Sequence, residues 1–172
     1  MKKPELILNL TEAYTTVLTR VASVPEENFY IQKNGKWSVA ENLAHLTLSA
    51  KLFNRALEAP KLGLLFRFGI NLSDFRDESW LDETYKKASF PDRTGFEPRM
   101  SEKTTKEFEL EQFETKHLQL IENLKNWKEW QLDRLQLPHL IFKKLSIREY
   151  LIFLAYHIRH HERAIIASIS PD

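Results

Sequence analysis

The chain has 172 residues, no cysteine and four glycines, and its 25 basic and 24 acidic residues give a formal net charge of +1. This length suits one domain with a full hydrophobic core, and the absence of cysteine excludes disulfides, thiolate catalysis and cysteine metal sites. The balanced charge argues against nucleic acid as a partner, and the scarcity of glycine argues against nucleotide-binding loops.

The N-terminal residues predict neither export nor membrane insertion. The segment MKKPELILNL begins with basic residues, but polar residues interrupt its apolar ones within a few positions. We therefore expect a soluble protein without a membrane partner, and the absence of cysteine fits a location in the reducing cytoplasm.

The first predicted helix is amphipathic and is followed by a loop. Apolar residues recur at helical spacing over residues 6–21, and Pro25 ends this run. The loop contains the turn pair Asn34-Gly35. Its apolar residues are expected to cover the end of the core, and these are Phe29, Tyr30 and Ile31.

The second predicted helix carries a histidine on its shoulder. Ser38 and Glu41 have the spacing of a capping box, and an apolar stripe over residues 39–57 runs until Pro60. His45 lies roughly 110° from the centre of that stripe, where side chains line a groove between helices. Taken alone, a histidine in this position is more often interfacial than a metal ligand.

Residues 61–99 predict a long connection with weak periodicity. Because long connections without regular structure are uncommon in compact domains, we expect short helical pieces, especially near residues 78–88. This segment either roofs a substrate pocket or serves only as a crossover between helices.

Ser101 is predicted to open a third long helix that continues to about Trp130. It contains His117 among charged positions, where a histidine is structural or solvated. Residues 132–145 form a connector with room for a short extended piece, and His139, next to a proline, is expected at the surface. No convincing pair of strands is predicted.

Residues 146–169 predict the most strongly periodic helix, which starts at a second capping box and holds three of the six histidines. His157 and His161 are one turn apart on the same face, the spacing at which two imidazoles reach one metal ion. His160 projects roughly 140° from the apolar stripe and is expected to be more exposed.

Four long amphipathic helices predict an all-α four-helix bundle with a long, partly helical connection between helices two and three. If His45 meets His157 and His161 inside it, three neutral imidazoles bind one divalent ion and leave a position for water or substrate, which is typical of catalytic sites. Zinc is the first choice for this ligand set, and nickel, iron and manganese also accept nitrogen ligands.

Two motifs resemble the DinB-like superfamily of metalloenzymes, whose fold is a four-helix bundle with a long second connection. Residues 37–46, WSVAENLAHL, look like its W-S-x-x-E-x-L-x-H-L signature, and residues 157–161, HIRHH, look like its C-terminal H-x-x-H-H segment. In that family these motifs supply three histidine ligands, so the resemblance implies that His45, His157 and His161 bind one metal. The family often carries a glutamine three residues after the last ligand, where this chain has Ala164.

The resemblance also implies a class of activity. Characterised relatives include transferases and isomerases that use low-molecular-weight thiols such as bacillithiol or mycothiol. Because this chain has no cysteine, a thiol would have to be a cosubstrate, and the expected reaction transfers its sulfur to a small electrophilic molecule. Hydrolysis by an activated water is the nearest rival. A non-catalytic metal-binding or ligand-binding module, and a metal-free bundle that forms a homodimer, are further alternatives.

No residue is assigned as the general acid or base. A ligating imidazole usually donates its second N–H to a carboxylate or carbonyl, and nearby polar groups can also move protons. The candidates for these roles are Glu41, Tyr156, His160 and Glu162. Glu41 has a competing role in its capping box, and we favour that structural role.

Overall fold

The computed structural model describes residues 1–88, 97–98 and 104–169, and this part of the chain is mostly helical. The described residues contain eight helices and one pair of short strands. In chain order the elements are α1 (Lys3–Ala22), α2 (Glu26–Phe29), α3 (Val39–Glu58), α4 (Lys61–Phe68), α5 (Glu78–Lys87), α6 (Lys106–Lys125), α7 (Glu129–Arg134), β1 (Gln136–His139), β2 (Lys143–Ser146) and α8 (Ile147–Ile169). The prediction of an all-α protein is confirmed.

The longest helices, α1, α3, α6 and α8, surround the core. Helix α3 packs along α6 and α1 along α8, with further contacts between α1 and α6 and between α3 and α8. Their apolar side chains meet in one buried cluster that includes Val17, Leu43, Phe113 and Ile158. The apolar stripes predicted for the first two helices are buried, and both predictions are confirmed. No helix in the described part of the chain is both long and apolar enough to cross a lipid bilayer.

Both predicted capping boxes are present and fix where α3 and α8 begin. At α3, the backbone N–H of Ser38 donates to the Glu41 carboxylate at 2.7 Å, and the Ser38 hydroxyl accepts from the Glu41 N–H at 3.2 Å. Ser146 and Glu149 make the same pair of hydrogen bonds at α8, at 2.8 and 3.2 Å. Each box satisfies amides that the first helical turn leaves unpaired.

Helix α8 is buried on more sides than its predicted stripe indicates. All residues from 151 to 158 are buried, because α8 contacts α1, α3, α5, α7 and β2. Its histidines at 157 and 161 therefore lie inside the protein.

The prediction that the chain lacks a strand pair is wrong. Strands β1 and β2 pair antiparallel, with Gln136 opposite Ser146 and His139 opposite Lys143. Each strand has only four residues, and Pro138 cannot donate to the ladder, so neither segment carries the alternating pattern of a longer strand. The hairpin fills the connector before α8.

Several predicted boundaries change. The start at Ser101 is wrong, because residues 104–105 are not helical and α6 begins at Lys106; Ser101 itself lies outside the described residues. Helix α6 ends at Lys125, and α7 is a separate helix. The short helical pieces expected in the long connection are α4 and α5, while residues 89–96 and 99 lie outside the described part.

Only one of the three loop residues expected to cover the core does so. Phe29 is fully buried, but Tyr30 and Ile31 are 41% and 47% exposed. Helix α2, one turn long, turns the Phe29 ring inward.

His117 is buried, so the structural alternative for this residue holds and the solvated one does not. Its Nδ1 lies 2.7 Å from the Phe113 carbonyl, to which it donates, and its buried Nε2 has no partner among the described residues. Burial lowers the pKa of His117 to about 4, against an opposing contribution from the hydrogen bond.

His117→Leu is expected to flatten the acid dependence of stability. Between pH 6.5 and 4 the unfolded chain binds a proton at His117 and the native chain does not, so stability falls as the pH falls through this window. The variant removes up to about 1.4 kcal/mol per pH unit from that slope. Urea unfolding at several pH values measures it. Leu120→Ala, at an equally buried position of α6, should lower stability at every pH without changing the slope, and an unchanged slope in His117→Leu would contradict the assignment.

Candidate metal centre

Three histidines from two helices converge on one point. Helix α3 contributes His45, and α8 contributes His157 and His161; all three are buried and their ligand atoms lie within 4.8 Å of one another. Nε2 of His157 is 3.3 Å from Nε2 of His45 and 3.1 Å from Nε2 of His161. The capping boxes at the starts of α3 and α8 fix the helices that carry these rings.

Hydrogen bonds alone do not satisfy this cluster. Nε2 of His157 lies within bonding distance of two ring nitrogens, but a neutral imidazole carries one proton and can donate only one hydrogen bond. Its buried Nδ1 has no partner among the described residues. Two nitrogen ligands at 2.0–2.1 Å from a tetrahedral ion are about 3.4 Å apart, close to the separations in the cluster. The three rings therefore fit one divalent ion.

Asn42 fixes the tautomer of His161. Its amide nitrogen lies 3.2 and 2.8 Å from the carbonyl oxygens of Trp37 and Ser38 and donates to them, so its Oδ1 is the atom that faces His161. Nδ1 of His161 lies 2.7 Å from that oxygen and must carry the proton. Nε2 of His161 consequently presents a lone pair to the centre of the cluster.

Aromatic rings hold the imidazoles in place. Trp37 stacks on His161 at 5.9 Å between ring centroids and lies 5.0 Å from His45. Phe153, one turn before His157 on α8, stacks on the ring of His157 at 5.4 Å. This packing limits rotation of the three rings and excludes water from their outer faces.

The environment keeps the imidazoles of His157 and His161 neutral. Burial, and then the neighbouring histidines, lowers the pKa of both His157 and His161 well below 6.5. Neutral imidazoles keep their lone pairs at pH 7, which is the state that binds a metal ion.

The sequence named four candidates for orienting the ligands, and none of them takes the place of Asn42. The hydrogen bond that orients His161 is made with Asn42. Glu41 accepts from Ser38 and, at 2.6 Å, from Gln32; burial opposes these bonds, but they hold its pKa below the ordinary value. Glu162 faces α1, where it pairs with Arg20 at 3.0 Å.

The other two candidates lie closer to the cluster. His160 is half-buried and, as predicted, more exposed than His157 and His161. Its ring is 5.3 Å from that of His161 and 5.4 Å from that of Tyr85. Burial and, to a lesser extent, the neighbouring Asp82 carboxylate raise the pKa of Tyr156 to about 12. Both residues line the cavity next to the cluster.

His139 is not the surface residue that the sequence predicts. It is half-buried, lines the same cavity, and contacts Tyr150 and Phe153 at 5.2 and 4.7 Å between ring centroids. Its Nδ1 accepts hydrogen bonds from the N–H groups of Ile141 and Phe142 in the hairpin turn. Because the strand pair was not predicted, no sequence pattern indicated this placement.

A cavity of about 1220 Å³ opens beside the cluster. The histidines lie in its wall with Phe53, Tyr150 and Phe153, and the hairpin contributes residues 137–141. The long connection also lines it, through Leu64, Arg67 and Phe68 of α4 and Tyr85 and Lys86 of α5. These described parts of the connection thus border the cavity, and Ala164, where the family often has glutamine, lies in its wall too.

Comparison with models of protein families places the chain in a known superfamily. The family model of the DinB superfamily covers residues 9–165, a range that includes all three histidines and Asn42. No curated protein matches the chain.

Proposed function

The chain belongs to the DinB superfamily, as its two motifs predict, and from this premise we propose that it is a divalent-metal-dependent enzyme with His45, His157 and His161 as the ligands. The observation that carries the proposal is the convergence of three buried imidazoles at separations of 3.1 and 3.3 Å. Three protein ligands leave a coordination position open for a reactant, which is typical of catalytic zinc sites. Zinc is our first choice, with nickel, iron and manganese as alternatives.

In the proposed reaction a low-molecular-weight thiol gives up its proton, and its sulfur forms a bond to an electrophilic carbon of a small molecule and displaces a leaving group, which departs with the bonding electron pair. A bound divalent ion supplies Lewis acidity, which lowers the pKa of a thiol or water that binds it. Asn42, Trp37 and Phe153 hold the three imidazole rings in place. The apolar part of the cavity excludes water from the second reactant. The thiol must come from a cosubstrate, because the chain contains no cysteine.

We also propose that the four long helices form one four-helix-bundle domain of a cytoplasmic protein. The contacts of α1 with α6 and α8, and of α3 with α6 and α8, support this arrangement. The cluster lies between α3 and α8, and side chains in the core of a bundle commonly build metal sites.

Metal content and thiol dependence test the proposed function. Protein purified without a histidine tag is expected to contain or take up about one divalent ion per chain. A panel of small electrophiles is then supplied with and without bacillithiol, mycothiol or another small thiol, and we expect turnover that requires both metal and thiol. Turnover without a thiol would instead identify a hydrolase, and a metal-loaded protein without any turnover would identify a binding module. Protein that takes up no metal would contradict the site itself.

A further inference from the structure

The cavity beside the histidines has an apolar interior. Phe53 stacks on Tyr150 at 4.8 Å between ring centroids, and Phe153 stacks on His157 at 5.4 Å, so aromatic wall extends from the cluster along α8 and α3. Leu64 and Phe68 of α4 add further apolar surface. An apolar part of a ligand can therefore lie directly against the cluster.

The charged residues of this cavity have one sign. Those that line it are Lys36, Arg55, Arg67, Lys86 and Arg163, and no described residue of its wall is acidic. The chain as a whole carries 24 acidic residues against 25 basic ones, so this bias belongs to the cavity and not to the composition. The electrostatic field in the cavity therefore favours the binding of an anion.

Most of these cations lack an ion-pair partner. Lys86 pairs with Asp82 at 2.6 Å, whereas Lys36, Arg55, Arg67 and Arg163 form no ion pair within the described part of the chain. Arg55 follows His45 by ten residues on α3, which places the two about 15 Å apart along the helix axis. The positive charge at Arg55 is thus separated from the reactive end of the cavity.

Two titratable groups of the cavity wall, His139 and Tyr150, do not oppose an anion. Burial lowers the pKa of His139 to about 4 and raises the pKa of Tyr150 to about 12, so both are neutral at pH 7. Their hydrogen-bonding atoms add polarity to the wall without adding negative charge.

We infer that the cavity takes an organic anion with an apolar body, whose carboxylate or phosphate faces Arg55 and Arg67 and whose apolar part lies on Phe53, Tyr150 and Phe153 next to the histidines. This inference rests on the proposed function, since it assigns a substrate class to the same site. The two arginines act on specificity, because they contact the charged group and not the reacting atoms.

Displacement of a fluorescent anion tests the inference. Anilinonaphthalene sulfonate is bound to the protein and displaced by decanoate, decyl phosphate or decanol, which share one chain length and differ in charge. Decanoate or decyl phosphate should compete roughly tenfold more strongly than decanol, and the stronger of the two identifies the charged group. The double variant Arg55→Gln with Arg67→Gln should lose this preference, with the competition by decanol unchanged. Lys51→Gln, on the same helix but outside the cavity wall, is the matched control and should behave as the native chain.

The outcomes separate this inference from the proposed function. Equal competition by decanol and the anions, or an unchanged preference in the double variant, overturns the inference. Metal content is measured on the same preparations, and the double variant should retain its metal. Preference for anions in a native protein that takes up no metal would support the inference and overturn the proposed function. A native protein that binds metal but shows no preference for the anions over decanol would support the proposed function and overturn the inference.

Discussion

His157→Ala is expected to lower the affinity of the protein for a divalent metal by roughly 10²- to 10³-fold. A four-ligand zinc site contributes about 10–16 kcal/mol of binding free energy, so the loss of one ligand costs about 3–4 kcal/mol. His157 is the most sensitive position, because its Nε2 lies between those of His45 and His161. Titration of metal-stripped protein with zinc measures the change directly.

Unfolding experiments provide a second measurement of the same loss. An ion that binds only the native chain stabilises it by about 2.7 kcal/mol when its free concentration is one hundred times the dissociation constant. Removal of the metal should therefore lower the Tm of the native protein, whereas the same treatment should leave the Tm of His157→Ala nearly unchanged. This comparison of each protein with and without metal is independent of any cavity that the substitution creates.

Two further variants are expected to change the metal affinity by smaller amounts than His157→Ala. His160→Ala changes a neighbouring histidine outside the three-ring group and should retain native affinity. Asn42→Ala removes the acceptor that fixes the tautomer of His161 and should weaken binding about 10- to 100-fold. Equal losses in His157→Ala and His160→Ala would show that the metal binds elsewhere.

The convergence of the histidines follows in part from helical periodicity. The four-residue spacing of His157 and His161 places both rings on one face of α8, and this follows from the sequence alone. The approach of His45 depends on how α3 packs against α8, which periodicity leaves open. The position of His45 on the shoulder of its helix made it a candidate, and the resemblance to the family implied it as a ligand. The structure brings its Nε2 within 3.3 Å of Nε2 of His157.

Polar contacts between distant segments were harder to predict. Glu162 is adjacent to His161 in sequence, but one residue turns the helix by about 100°, and the carboxylate meets Arg20 on α1. Asn42 precedes His45 by three residues on α3, but its role appears only when α8 brings His161 to its amide. The placement of His139 depends on the hairpin, which was not predicted because its four-residue strands are too short to show a clear alternating pattern.

Arg76→Leu is expected to lower the free energy of unfolding by about 3 kcal/mol, because it leaves a buried carboxylate without its ion-pair partner. Glu149 is fully buried, and Arg76 donates to it through Nε at 2.8 Å, Nη2 at 2.7 Å and its backbone N–H at 3.0 Å. Arg76 also donates to the Lys144 carbonyl of β2 at 2.9 Å. The pair thus joins the segment before α5, the hairpin and the start of α8, the helix that carries His157 and His161.

The pH dependence of this loss identifies its electrostatic origin. Burial alone would raise the pKa of Glu149, but hydrogen bonds from Arg76 and Ser146 hold it below 4.5. The stabilisation by the pair is therefore present above that pH and is lost as the pH falls through the native pKa. Urea unfolding should show a difference between native and Arg76→Leu proteins that is largest near pH 7 and shrinks in acid. Lys86→Leu breaks the exposed pair with Asp82 and should cost less than about 1 kcal/mol. A loss in Arg76→Leu that stays constant down to acid pH would instead indicate lost packing on Trp80, whose ring lies 4.9 Å from the guanidinium.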